Sequence, residues 1–89
     1  MQRAEAETLA LGALSWAAAD GQALSSFLET SGLTLDDLRD RAGTPQLLAA
    51  LVDFLLAHEK LAEAFCAFEG LDGETLKAIR RALPGSTLE

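Results

Sequence analysis

Leu9-Ala10-Leu11-Gly12-Ala13-Leu14-Ser15-Trp16 and Leu47-Leu48-Ala49-Ala50-Leu51-Val52-Asp53-Phe54 are two apolar runs separated by 38 positions, and their alignment decides how the chain is read. The match continues beyond them. At the same offset Phe27, Gly32, Leu33, Thr34, Asp36, Leu38 and Arg39 fall on Phe65, Gly70, Leu71, Asp72, Glu74, Leu76 and Lys77. Any short chain rich in Leu and Ala resembles itself to some extent. Here the glycines and the aromatic positions match as well as the leucines, which favours a duplication, or at least a matching architecture, in the two halves.

Each half reads as one long and two shorter helices. The first helix is expected from near Arg3 to Ala19, with Glu5 and Glu7 near its positive end. Its polar stripe is Glu5, Thr8, Gly12, Ser15 and Ala19, and Leu9, Leu11, Ala13, Leu14, Trp16 and Ala17 occupy the remaining faces. Asp20 is the expected N-cap of a second helix, Gly21 to Ser31, with Leu24, Phe27 and Leu28 as its apolar stripe and Gly32 as its left-handed terminator. Thr34 starts a third, with Asp37 three residues on in a capping-box arrangement and Arg39 and Arg41 near the negative end before Gly43.

Thr44-Pro45 opens a fourth helix, running to about Ala57, because proline is best tolerated at the first helical position. Its narrow polar or small-residue stripe is Gln46, Ala49, Ala50, Asp53 and Ala57. By analogy with Asp20, a break near His58 separates it from a fifth helix carrying Leu61, Ala64, Phe65 and Phe68 and ended by Gly70, although no Gly or Pro marks that break. Asp72 caps a sixth helix through Leu83, stopped by Pro84-Gly85.

Neither triplet can cover its own long apolar helix. The expected fold is therefore all-α: a compact bundle of about six helices in two pseudo-repeated triplets, about 3–43 and 44–85, within a single domain, 1–87. The two most apolar helices should pack centrally about an approximate twofold axis, with the shorter helices wrapped outside. Trp16 and Phe54 should fill the centre of that core, the alternative being the middle of an interface. Leu88-Glu89 reads as a possible expression-tag remnant.

Composition agrees with helices. Of the 89 residues 49% are hydrophobic but only 6% aromatic, with no Tyr, so residues suited to a pleated surface are scarce. The single Cys66 cannot form an internal disulfide, and the N-terminus lacks the order of a secretory signal, which points to the cytoplasm. The apolar stretches Leu9 to Ala19 and Leu47 to Ala57 are about half the length a bilayer requires, so no membrane span is expected. A net charge of −7 opposes wide contact with a phosphate backbone.

No group of residues converges on chemistry. His58, with Glu59 and Glu63 nearby, reads as a helix-end residue rather than a metal ligand, because no second His or Cys completes a site. Cys66 stands eight residues from His58, about 12 Å along a continuous helix, and reads as a small buried side chain rather than a nucleophile. Asp53 reads as a solvated or hydrogen-bonded structural carboxylate. Asp36, Asp37 and Asp40 lack the ligand spacing of a calcium loop and form an ordinary solvated face. Lys77, Arg80 and Arg81 complement the dipole of the sixth helix. The stretch Gly32 to Gly43 has a superficial likeness to the opening of a helix-turn-helix domain, yet the helix after it, Gln46 to Val52, would be a poor reader of bases. Expected catalytic residues, cofactors and metals are none, and partner-binding residues are unknown.

Ala4-Glu5-Ala6-Glu7 leading into Leu9 to Trp16, Leu38-Arg39-Asp40-Arg41-Ala42-Gly43-Thr44-Pro45, Val52-Asp53-Phe54-Leu55-Leu56, Phe65-Cys66 and Ala82-Leu83-Pro84-Gly85 together resemble a family of short alphaproteobacterial proteins, domain of unknown function 3572. The resemblance spans nearly the whole chain up to Gly85, and His58 departs from the acidic residue it implies there. It implies the helical fold and a cytoplasmic bacterial setting, and carries no activity. The leading functional expectation is a non-enzymatic protein-interaction or regulatory module that binds an unknown protein partner or a second copy of itself. A DNA-associated regulator working through the sixth helix is the first alternative, and a small-ligand carrier or enzyme with a pocket between the triplets the second.

Overall fold

Short polar and glycine breaks cut the chain where the caps require. A computed structural model describes residues 1–84, and places α1 at Arg3–Ala19, α2 at Gly21–Ser31, α3 at Leu35–Arg41, α4 at Pro45–Ala57, α5 at Glu59–Glu69 and α6 at Gly73–Ala82. No strand occurs among the described residues. Asp20 accepts from the Gln22 amide, Thr44 from Leu47 and Asp72 from Thr75, while Thr34 and Asp37 form a reciprocal capping box. These side chains satisfy amides that the first helical turn leaves without partners. Leu88-Glu89 and Gly85 lie outside the described residues.

The correspondence between the halves extends to the backbone. Gly32 and Gly70, 38 positions apart, end α2 and α5 with φ of 75° and 72°, a left-handed conformation that glycine adopts without a Cβ penalty. Asp20 (φ −104°, ψ 96°) and His58 (φ −122°, ψ 84°) make the same kind of break between a long helix and the next, so α4 and α5 are separate helices. Two aromatic pairs correspond as well. Trp16 meets Phe65 with ring centroids 5.6 Å apart, and Phe54 meets Phe27 at 5.5 Å. Each pair joins the long helix of one half to the middle helix of the other, and the 38-residue offset exchanges the two pairs.

Alanine decides how α1 meets the core. Its fully buried residues are Ala6, Ala10, Ala13 and Ala17, whose spacings of four, three and four form one stripe down the helix. Side chains this small let neighbouring helix axes approach closely. The long side chains sit beside or opposite that contact: Leu9, Leu14 and Trp16 are half-buried, and Leu11 is 43% exposed. This corrects the expectation that Trp16 fills the centre of the core, and places it at the edge instead. By contrast α4 buries Leu47, Leu48, Ala49, Leu51, Val52, Phe54 and Leu55. Ala49, expected on the small polar stripe of α4, is fully buried, while Asp53 and Ala57 do face outward.

The third helices break the correspondence. From α6, Leu76 and Ile79 are buried, with Leu83 just after it, and α6 packs against both α1 and α4. From α3 only Leu38 is buried. α1 and α4 do pack against each other at the centre, as expected, but the short helices do not wrap evenly round them: α6 joins that centre and α3 lies at the periphery. A single apolar cluster takes residues from all six helices.

Two of the caps make stability depend on acid. Hydrogen bonds from the Thr34 backbone and side chain hold the Asp37 carboxyl below the 3.8 of a free aspartate, and those from the Thr75 side chain and amide do the same for Asp72. A carboxylate whose pKa falls on folding stabilises above its unfolded pKa, and the contribution disappears as pH falls through the folded value. Both contributions should therefore be level from neutral pH down to about 5 and decline below about 4. Asp72→Asn keeps a capping oxygen but cannot titrate, so its urea midpoint should fall less than that of the parent between pH 6 and pH 3. Parallel acid profiles would refute this assignment.

Candidate functional site

Two features join elements distant in sequence through polar or apolar contact. The first is an ion pair: Arg80 on α6 donates from Nε to Asp53 Oδ1 on α4 at 2.6 Å. Its Nη1 also donates to the carbonyls of Pro84 at 3.1 Å and Leu83 at 3.4 Å, so one guanidinium closes the C-terminal end of α6 and holds it to α4. Asp53 is thus hydrogen-bonded, as read from the sequence, and Arg80 is spent within the fold. Asp53→Ala or Arg80→Met should each lower stability by about 1 kcal/mol, with a coupling of about 0.5–1 kcal/mol in a double-mutant cycle. Additive losses would show that the pair is idle.

The second feature is a groove of about 700 Å³, open along one side, between the end of α4, α5 and the start of α6. Leu56, Ala62 and Leu71 supply most of its apolar surface, over the buried Cys66 and Leu76. Glu59, Glu63 and Asp72 supply carboxylates, and Lys77 is its lone cation. Lys77 itself lies 3.6 Å from Glu74. Among the described residues neither Glu59 nor Glu63 makes an ion pair.

Small side chains on α5 widen the opening that the position of α6 leaves. At the offset of 38, Ala62 and Cys66 correspond to Leu24 and Leu28, which are half-buried against the shared core. Replacing two leucines by Ala and Cys removes several methylene and methyl groups from one flank of α5. The sequence signal was available in that pair of replacements, but small residues on an amphipathic helix more often mark close packing than an opening.

Of the residues singled out from the sequence, Asp53 meets Arg80, and Glu59, Glu63, Cys66 and Lys77 line the groove, while His58 stays outside it. The His58 ring lies on Phe54, with centroids 4.3 Å apart, and its Nδ1 is 2.8 Å from the Phe54 carbonyl oxygen. That contact finishes α4 and leaves His58 a helix-end residue. Cys66 is buried, and its Sγ donates weakly to the Asp72 carbonyl at 3.7 Å. Burial pushes its thiol pKa up, with the Asp72 charge adding to the effect, so thiolate is scarce at neutral pH. Alkylation by iodoacetamide at pH 8 should be several-fold slower in the folded chain than in urea; equal rates would mean that the thiol is open. No cluster of three metal-ligating side chains occurs among the described residues, and none of their helices is long and apolar enough to cross a membrane.

The fold and this opening define a small all-α domain whose second half carries an acid-rimmed apolar groove. Over residues 3–86 the chain matches the family described as "Protein of unknown function (DUF3572)", and it belongs to that family. No curated protein and no solved structure matches it.

Proposed function

We propose that this chain is a non-enzymatic protein-interaction module of the bacterial cytoplasm. The observation that carries the reading is the apolar surface left uncovered along α5: the groove on one flank and Phe68, 69% exposed, on another. Phe68 lies one turn beyond buried Phe65, so the helix does not lack a way to bury an aromatic ring; this one faces water. Exposed apolar surface lowers its free energy by association.

The basic residues of α6 favour this reading over contact with DNA. Arg80 is committed to Asp53 and to two carbonyls, and Lys77 stands beside Glu74, which leaves Arg81 to face a net charge of −7. Sedimentation together with affinity capture from the native cell tests the module. A dimer, or a specific partner whose capture is reduced by Phe68→Ser or by filling the groove, supports it. A clean monomer that recovers no partner overturns it.

A further inference from the structure

We infer that the groove between α5 and α6 is a docking site for a basic amphipathic helix, with leucine-sized side chains entering the floor and lysines or arginines meeting Glu59, Glu63 and Asp72. The inference rests on the interaction reading and specifies its surface and the chemistry of its partner. Charge complementarity selects the occupant. Three carboxylates line the opening against one lysine that already has Glu74 beside it, in a chain whose net charge is −7. An acidic or phosphorylated segment would be repelled from such a rim.

Shape narrows the choice further. An all-α domain offers no sheet edge to extend, and no aromatic side chain lines the groove to grip a polyproline segment. The lining residues on α5 run from Glu59 to Ala67, about 12 Å or two helical turns. That length suits two apolar anchors spaced three or four residues apart on a partner helix. The groove is open along one side, so it could shelter one face of a helix but would leave a small molecule largely in water.

The first half of the chain indicates how to close the site without disturbing the fold. Ala62→Leu places in α5 the residue that α2 carries at the corresponding position, where Leu24 packs against the same core. Glu59→Gln with Glu63→Gln removes rim charge without removing side-chain length. Asp36→Asn with Asp40→Asn removes the same charge from α3, away from the groove.

The probe is a designed peptide of about four helical turns, with leucines at alternating spacings of three and four and lysines elsewhere; its partner control carries glutamates in place of the lysines. Amide chemical shifts of the full chain would be followed during titration. The expected result is that shifts concentrate at Leu56, Ala62, Cys66, Leu71 and Leu76, and that the Glu59/Glu63 double variant weakens binding about five- to tenfold. Ala62→Leu, shown to be folded by its circular dichroism, should abolish those shifts, and the α3 variant should bind like the parent. Shifts scattered over the acidic surface, equal loss in the two double variants, or equal binding of the glutamate peptide would overturn the inference. So would dimerisation of the chain through the groove. If a cellular partner is found and shifts residues elsewhere, the groove assignment fails while the interaction reading stands; if neither partner nor peptide binds, both fall.

Discussion

Phe65→Ala is expected to lower the unfolding free energy by about 3–5 kcal/mol, a large share of the roughly 5–15 kcal/mol that holds a domain together. Phe65 is fully buried at the centre of α5 and packs its ring against Trp16 of α1. Truncation removes apolar area from a site that rigid helices on several sides cannot collapse to fill. Phe27→Ala should be comparable, since Phe27 is equally buried and meets Phe54 in the corresponding geometry. Trp16→Ala should be milder, because that side chain is only partly buried. Urea unfolding followed by far-ultraviolet circular dichroism checks all three. A loss below about 1 kcal/mol for Phe65 would contradict the packing at the junction of the two halves.

Ala10→Leu is expected to destabilise by about 1–3 kcal/mol or more, even though it adds hydrophobic volume to a hydrophobic helix. Ala10 has no exposed surface, and it sits in the alanine stripe where α1 lies against the core. A larger side chain must either leave its preferred rotamer or push the helices apart. Leu11→Ala, one residue on, should cost less, about 1 kcal/mol or below, because Leu11 lies on the exposed face of α1 at 43%. The order of these two effects is the reverse of what hydropathy alone implies. An Ala10→Leu protein as stable as its parent would show that α1 does not meet the core through its alanines.

Element boundaries were legible because they are local. Thr34 with Asp37, Thr44 before Pro45, Asp72 before Thr75 and the two left-handed glycines each act within about one helical turn, so they are readable without knowing what the helices touch. The break at His58 followed from its correspondence to Asp20 rather than from any breaker residue. The buried face of α1 was misread for the opposite reason. Leu and Trp carry more apolar area than Ala, so periodicity assigns them the core, but which face is buried depends on how near the neighbouring helix comes. Close approach between α1 and the helices beside it selects alanine and displaces Leu9, Leu14 and Trp16 to the flanks.

The candidate site was less legible still. Glu59 and Glu63 one turn apart, with Ala62 and Cys66 beside them, could as well have belonged to a solvated helix face over a tight contact. Only the position of α6, packed against α1 and α4 while α5 is held by Phe65, leaves space between their shoulders.

From composition, periodicity and caps, the amino-acid order alone determined six helices, where each begins and ends, and that α1 and α4 are the apolar ones. Tertiary structure decided that α6 enters the packed centre and α3 does not, that alanine rather than leucine faces inward from α1, and that an acidic groove stays open beside α5. The physical reason is range: hydrogen bonds at helix ends act over one turn of chain, whereas burial is settled by volumes and distances among helices that meet only after folding.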